Sequence, residues 1–346
     1  MAHFNSPIFS HITKKTAIIG KILLAGTIAI LILSILLAGH YTIPIHYPNN
    51  QGGTDYIWKP NSFWIKQTEG ISFGKIDAQG FNNDSIINNP DILVLGSSHM
   101  EAMDVMQNEN TASILQDKLN GKYTVYNKGI SGHNFIKVCQ YLPQNLEIYK
   151  VTPKFIVIET SSPIVLQEDV DKIFSGKNKY NQSHESGIIG LMQRLPFFRL
   201  LYLQIERGLT DLFITQNKTK QNKSSQEIPT IDEKPYSQLF EYLRSIEEKF
   251  STKIIIVFHP GYQIEKNGSI SFSKLKYKDV FKKKTIENGI TFINLKEDFI
   301  KMYNESHHLP HGFITGKIGY GHLNKYGHAI MANAVYKAIL ELENER

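Results

Sequence analysis

The stretch DILVLGSSHMEAMDV, Asp91 to Val105, decides the fold. It opens as a short apolar run of buried-strand type and stops at Gly96-Ser97-Ser98. Two readings of the serines follow. They cap a strand-to-helix turn, or one of them is a nucleophile at the carboxyl end of a strand, where open parallel sheets collect reactive groups.

Downstream the run repeats. TASILQDKLNG (111–121) has helical spacing at Ile114, Leu115 and Leu119, with Gly121 as a stop. YTVYN (123–127) reads as a strand, NFIKVCQYLPQNLEIYK (134–150) as a helix bent or broken at Pro143, and KFIVIE (154–159) as a strand. This β-α-β-α-β order predicts a parallel sheet with crossover helices. Helix 236–250, strands 253–260 and 290–295, and helix 327–343 complete a doubly wound five-stranded α/β domain over 91–346. An insertion around 163–235 interrupts it. Two of its segments are polar, and IIGLMQRLPFFRLLYLQIERGLTDLF (188–213) between them reads as a core or lid helix, or one lying on a membrane.

Upstream, residues 43–90 form a Gly/Asn/Pro-rich lead-in with few periodic segments. Its aromatics, Trp58 and Trp64 included, either pack on the domain edge or bind a sugar. Before it lies ILLAGTIAILILSILLAG, Ile22 to Gly39, 18 residues without a charge. At about 1.5 Å per residue it nearly spans a bilayer core, and Thr16–Gly20 extends it if Lys21 snorkels. Lys14, Lys15 and Lys21 precede it and the next lysine is Lys59. The positive-inside rule then predicts a cytoplasmic segment 1–15, a single transmembrane helix 16–42 in the cytoplasmic membrane, and an extracytoplasmic (periplasmic) remainder. A cleaved signal peptide and a buried soluble helix are the competing readings. LLAGH has His40 where a lipid-bearing cysteine would stand.

Of the +6 formal charge, three sit on those N-terminal lysines. The remainder is too dilute over the chain to argue for nucleic-acid binding. The single cysteine, Cys139, excludes a disulfide framework and a multi-cysteine zinc site.

A serine nucleophile needs an adjacent base. His322, in GYGHLNKYGHAIMANAVY, sits on a Gly-rich loop before the last helix and is best placed; His328 starts that helix. His307, His308 and His311 lie just upstream, and the spacing of these five histidines matches no zinc pattern.

Three blocks in this order, LVLGSSHMEAM, NKGISGHN and GHLNKYGHAIMA, resemble the SGNH (GDSL-type) hydrolase superfamily over residues 76–346. The resemblance implies Ser98 as nucleophile, with Ser97 in the place of the family's aspartate. It implies Gly132, or else Gly129, as an oxyanion-hole glycine beside the Ser98 amide, and His322 as general base. A Gly-Ser-Ser turn and a His-Leu-x-x-x-Gly loop behind one membrane helix are similar to the branch that assists teichoic-acid D-alanylation and to the O-acetylation proteins of alginate and related exopolysaccharides. That similarity implies acyl transfer, or hydrolysis, of an O-acetyl group on an envelope polysaccharide. The implied partner is a membrane-bound O-acyltransferase, and no cofactor or metal is implied. Two departures stand out. Gly319 occupies the place of the acid three residues before His322, whose loss costs several powers of ten in rate. Asp298, Glu297 and Glu101 are the candidate substitutes. The oxyanion asparagine is absent from IETSSP, a loss of roughly 100- to 1000-fold, with Ser161 or Ser162 as alternative donors. These departures motivate a second expectation: a degraded fold serving as scaffold for a membrane acyltransferase or glycan-export complex.

Overall fold

The computed structural model describes residues 7–38, 46–49, 52–66, 69–175, 231–272, 276–314 and 318–345. The expected helix at 188–213 lies outside them. The chain falls into two units; one contains the N-terminal helix, and Ile43–Asn181 with Glu227–Arg346 makes up the other.

Helix α1, Pro7–Ala38, is long and apolar enough to cross a membrane between Thr16 and Leu33, with mean hydropathy 2.3 and no buried side chain in that window. It begins well before the expected residue 16. Its intrahelical bonds satisfy its own backbone, as a span in lipid requires.

The second unit is built on β5 (Ile92–Leu95), β6 (Val125–Asn127), β7 (Phe155–Thr160), β8 (Lys253–Phe258) and β11 (Thr291–Asn294). They form one sheet in the order β11-β8-β7-β5-β6, and every pairing is parallel. Both faces are covered, which is why the central strands are apolar at successive positions rather than at alternate ones. Leu93, Leu95, Ile156, Ile158, Ile254 and Ile256 face one side. There they meet α4 (Phe135–Glu147), α5 (Gln167–Ser175), α6 (Lys234–Phe250) and α7 (Lys276–Glu287). Ile92, Val94, Val157, Ile255 and Val257 face the other, against α3 (Thr111–Leu119), α8 (Lys296–Ser306) and α9 (Lys325–Asn344). Each such aliphatic side chain, fully buried, contributes roughly 1.5–3 kcal/mol. This is the expected doubly wound α/β sheet.

Pro143 lies inside α4, which continues through it to Glu147. Three helices without a sequence expectation appear among the described residues, α5 within the expected insertion, α7 and α8. The helix after β5, α2, is only Ser98–Glu101, stopped by Ala102 in the left-handed region at φ 56°.

The lead-in is more ordered than its composition implies. Strands β1 (His46–Pro48) and β2 (Tyr56–Trp58) pair antiparallel, as do β3 (Phe63–Lys66) and β4 (Ser72–Lys75). The β3–β4 hairpin is bolted to the segment after α2. Ser72 Oγ donates to Met103 O at 2.7 Å, and the Gln107 amide bonds Lys75 N and O at 2.9 and 3.1 Å. Trp58 and Trp64 are buried and serve packing. A last hairpin, β9 (Tyr262–Ile264) with β10 (Ile270–Phe272), follows β8.

Candidate active site

Strand β5 ends at Leu95 with its backbone pressed onto β7. A Cβ on Gly96 would stand 2.5 Å from Glu159 Oε2, so only glycine fits. The next residue caps α2. Ser97 Oγ accepts from His99 N at 3.2 Å, while Ser97 N and Oγ both donate to Glu159 Oε2 at 2.8 Å. Glu159 is fully buried. Burial works to raise its pKa, yet the His259 ring and the Ser97 donors bring it below the usual carboxylate value. Ser97 is therefore tied down, and Ser98 is the serine left to face outward from the turn.

His322 is carried by a loop with tight constraints. Gly321 has φ 100°, and a Cβ there would meet Glu69 Oε2 at 2.6 Å. On one side the loop bridges His311 through Leu323. On the other, Asn324 caps α9, accepting from Tyr326 N and Gly327 N at 3.0 and 3.3 Å. The outcome is a short Ser–His contact: His322 Nε2 lies 2.8 Å from Ser98 Oγ.

Behind the ring stands Glu69. Its Oε1 is 3.0 Å from His322 Nδ1, and its Oε2 accepts the His322 backbone N–H at 3.0 Å. A second carboxylate, Asp104 Oδ2, is 3.4 Å from the same Nδ1, and Lys66 Nζ holds Asp104 Oδ1 at 2.7 Å. With carboxylates at Nδ1, that nitrogen carries the proton and Nε2 presents its lone pair to the serine hydroxyl. Burial alone would lower the His322 pKa, but the Glu69 hydrogen bond and the charges of Asp104 and Glu69 outweigh it and raise it. Burial likewise opposes ionisation of Glu69, whose bonds and attraction to His322 nevertheless bring it down to about 2.

The acid at His322 is thus Glu69, and the three sequence candidates lie elsewhere. Glu101 is buried and bonded to Trp58 Nε1 at 2.8 Å and Ser131 N at 3.2 Å; burial pushes it up to about 7. Glu297 and Asp298 are exposed in the first turn of α8, where Phe299 takes the core-facing place. Gly319 has φ 77° and donates its N–H to His311 O at 3.1 Å.

The glycine block packs on the Ser98 turn. A Cβ on Gly129 would be 2.4 Å from Glu101 N and from Met100 C. Gly129 N donates to Asn127 Oδ1 at 2.9 Å, so its amide is already used. Gly132 has φ 81° and open space at its Cβ position. Among the described residues, neither its amide nor that of Ser98 donates to a protein acceptor. The Ser162 amide is taken by Thr160 Oγ1 at 3.1 Å, and Ser161 and Ser162 are exposed.

Of the other histidines near the C-terminal end, His328 bonds Thr111 Oγ1 at 2.8 Å, buried under α3, and His308 stacks on Tyr326 at 4.0 Å. A cavity of about 730 Å³ borders Gly70, Asp104, Met106, Phe313 and Tyr326. Its lining includes neither Ser98 nor His322, so it does not define the size of an acyl group.

Sequence reasoning missed Glu69 and Asp104. Asp104 lies six residues past Ser98 within the opening stretch. Glu69 gives no motif signal, because a hairpin 253 residues away brings it to His322.

No family model and no curated protein sequence matches the chain. Solved structures similar to it include an acetyl xylan esterase, 13% identical, over 72% of this chain and 99% of that one with a TM-score of 0.38. A catalytic mutant of an acetylxylan esterase from Geobacillus stearothermophilus is 15% identical, over 73% and 94%, with a TM-score of 0.39. A GDSL-like lipase from Bacteroides thetaiotaomicron is 12% identical, over 72% and 88%, with a TM-score of 0.36. Overlaps at this level carry no argument about chemistry, which rests on the residues themselves.

Proposed function

We propose that the protein is a serine acyl-transfer enzyme of SGNH type, an O-acyl transferase or esterase working through an acyl-enzyme. The observation that carries this is the chain Ser98–His322–Glu69, with contacts of 2.8 and 3.0 Å. His322 Nε2 takes the Ser98 proton as Oγ attacks an ester carbonyl. The resulting imidazolium is stabilised by Glu69 and Asp104. The Ser98 and Gly132 amides are the proposed oxyanion donors. Collapse expels the alcohol, protonated by His322, and leaves an acyl ester on Ser98. A second hydroxyl, from a sugar or from water, releases it by the reverse steps.

In this reading α1 anchors the enzyme in the cytoplasmic membrane with the α/β unit outside. The substrate is an O-acetylated envelope polysaccharide, and a membrane-bound O-acyltransferase is the partner. The anchor reading is supported by the one-sided lysines and the apolar window of α1. The absent aspartate before His322 and the absent oxyanion asparagine favoured a scaffold; Glu69 supplies a carboxylate at that ring and removes the first of these motives.

The test is acylation itself. The full chain is mixed with p-nitrophenyl acetate, quenched in acid and peptide-mapped. An initial burst of nitrophenol with acetyl on the Ser98 peptide is expected, and Ser98→Ala loses both. Wild-type turnover by the folded Ser98→Ala protein would overturn the reading.

A further inference from the structure

A second imidazole cluster lies against the Ser98 turn. His99, His259 and His311 bring ring nitrogens within 4.8 Å of one another. The His99 ring packs edge-on to His259 at 4.5 Å between centroids and is 5.2 Å from that of His322.

Three converging imidazoles suit a zinc or copper ion. The hydrogen bonds argue against one. Leu323 N–H donates to His99 Nδ1 at 3.1 Å. Burial first, then the neighbouring imidazoles, hold His99 well below 6.5, so the ring is neutral. A neutral ring that accepts at Nδ1 carries its proton on Nε2 and has no lone pair to spare for an ion. His259 Nε2 is likewise bonded to Glu159 Oε1 at 2.6 Å, and its Nδ1 faces His311 Nε2 at 3.4 Å. His99 Nδ1 and both ring nitrogens of His259 are thus engaged within the protein, while His311 Nδ1 is buried without a hydrogen-bond partner among the described residues.

The cluster's connections point to another role. His99 follows the nucleophile and Leu323 follows the base. Their bond crosses the same 224-residue separation as the Ser98–His322 contact itself. On the other flank, Ser97 is held by Glu159, and Glu159 by His259, whose ring touches His99. Both members of the reacting pair are therefore gripped, one residue away, by the same imidazole cluster.

We propose that His99 is a positioning residue: by accepting the Leu323 N–H at Nδ1, it fixes the His322 loop against the Ser98 turn. This rests on the acyl-enzyme reading above. A misplacement of about 1 Å between reacting groups costs on the order of 100-fold in rate. The bond acts through geometry and not charge, so it leaves the protonation of His322 alone.

The test compares His99→Leu, which removes the acceptor, with His99→Asn, whose side-chain oxygen reaches the Nδ1 position. Fluorophosphonate labelling of Ser98 and p-nitrophenyl acetate kinetics are measured on the full chain, with Tm as control. For His99→Leu, kcat and labelling rate are expected to fall roughly 10- to 100-fold, with KM and the pH midpoint unchanged. His99→Asn is expected to recover most of the loss, a rescue that general loosening of the fold would not give. If His99→Leu does not fold, His99→Gln carries the same contrast, because its longer amide overshoots Nδ1. Wild-type kcat in the Leu or Gln variant, an Asn variant as impaired as either, or stoichiometric metal in the untagged wild type would overturn the positioning role. A wild type that does not label at all would overturn the function beneath it.

Discussion

Removing the negative charge behind His322 should cost rate by a calculable amount. In Glu69→Gln the side chain keeps its shape and loses its anion. The carboxyl of Glu69 lies at about 2 instead of an ordinary 4.5. At ~1.4 kcal/mol per tenfold change in acid constant, that is about 3 kcal/mol of gross interaction with His322 and its surroundings. Glu69 and His322 are each a quarter exposed, so solvent screening reduces it to about 1–2 kcal/mol. In the proposed mechanism imidazolium forms in the transition state, and this is the stabilisation it forfeits: about 5- to 30-fold in rate. The loss stays moderate because Asp104 Oδ2 remains at 3.4 Å and keeps the proton on Nδ1. Removing both carboxylates, in Glu69→Gln/Asp104→Asn, frees the tautomer, and a loss approaching ~10⁴-fold is expected. The assay is the second-order rate of fluorophosphonate labelling from pH 5 to 9. His322 reacts as the neutral ring, so the rate rises with pH through its raised pKa. Without Glu69 the burial effect gains weight and that limb moves to lower pH. A Glu69→Gln protein with wild-type rate and an unmoved limb would refute the catalytic role of this carboxylate.

The two candidate glycines separate cleanly. Gly129→Ala places a methyl 2.4 Å from backbone atoms that cannot yield, and a destabilisation of about 1–3 kcal/mol or more is expected in urea denaturation. Gly132→Ala meets open space and bears only the strain of φ 81°, about 1–2 kcal/mol, while keeping its amide and most of the labelling rate. Gly321→Ala drives a methyl into Glu69 Oε2 at a φ of 100°; labelling should fall at least as far as in Glu69→Gln, with near-wild-type far-UV circular dichroism.

The sheet was legible because its strands are buried on both faces. ILVL and KIIIVF are apolar at nearly every position, a pattern that neither a loop nor a surface helix produces. Helices α7 and α8 escaped notice for the opposite reason. KYKDVFKKKTIE buries little more than Phe281, and KEDFIKMYNES buries Phe299, so neither shows a periodic stripe. The meeting of Ser98 and His322 was legible because each sits at a strand end or on a glycine-rich loop. The acid was not. Glu69 lies between strands of four residues each, in a stretch where neither period nor motif marks it. Its position follows from tertiary bonds, Ser72 to Met103 and Gln107 to Lys75, which pairwise sequence spacing does not encode. Glu101 drew attention by proximity to Ser98 in sequence, yet its side chain turns toward Trp58, where burial holds it near 7.

The most direct test of the central claim is intact-protein and peptide mass spectrometry after treatment with a fluorophosphonate. One stoichiometric adduct on Ser98, abolished by Ser98→Ala and slowed by orders of magnitude in His322→Ala, is the result predicted for a serine activated across a 2.8 Å contact. An unmodified Ser98 in the folded wild-type protein, or equal labelling without His322, would contradict it.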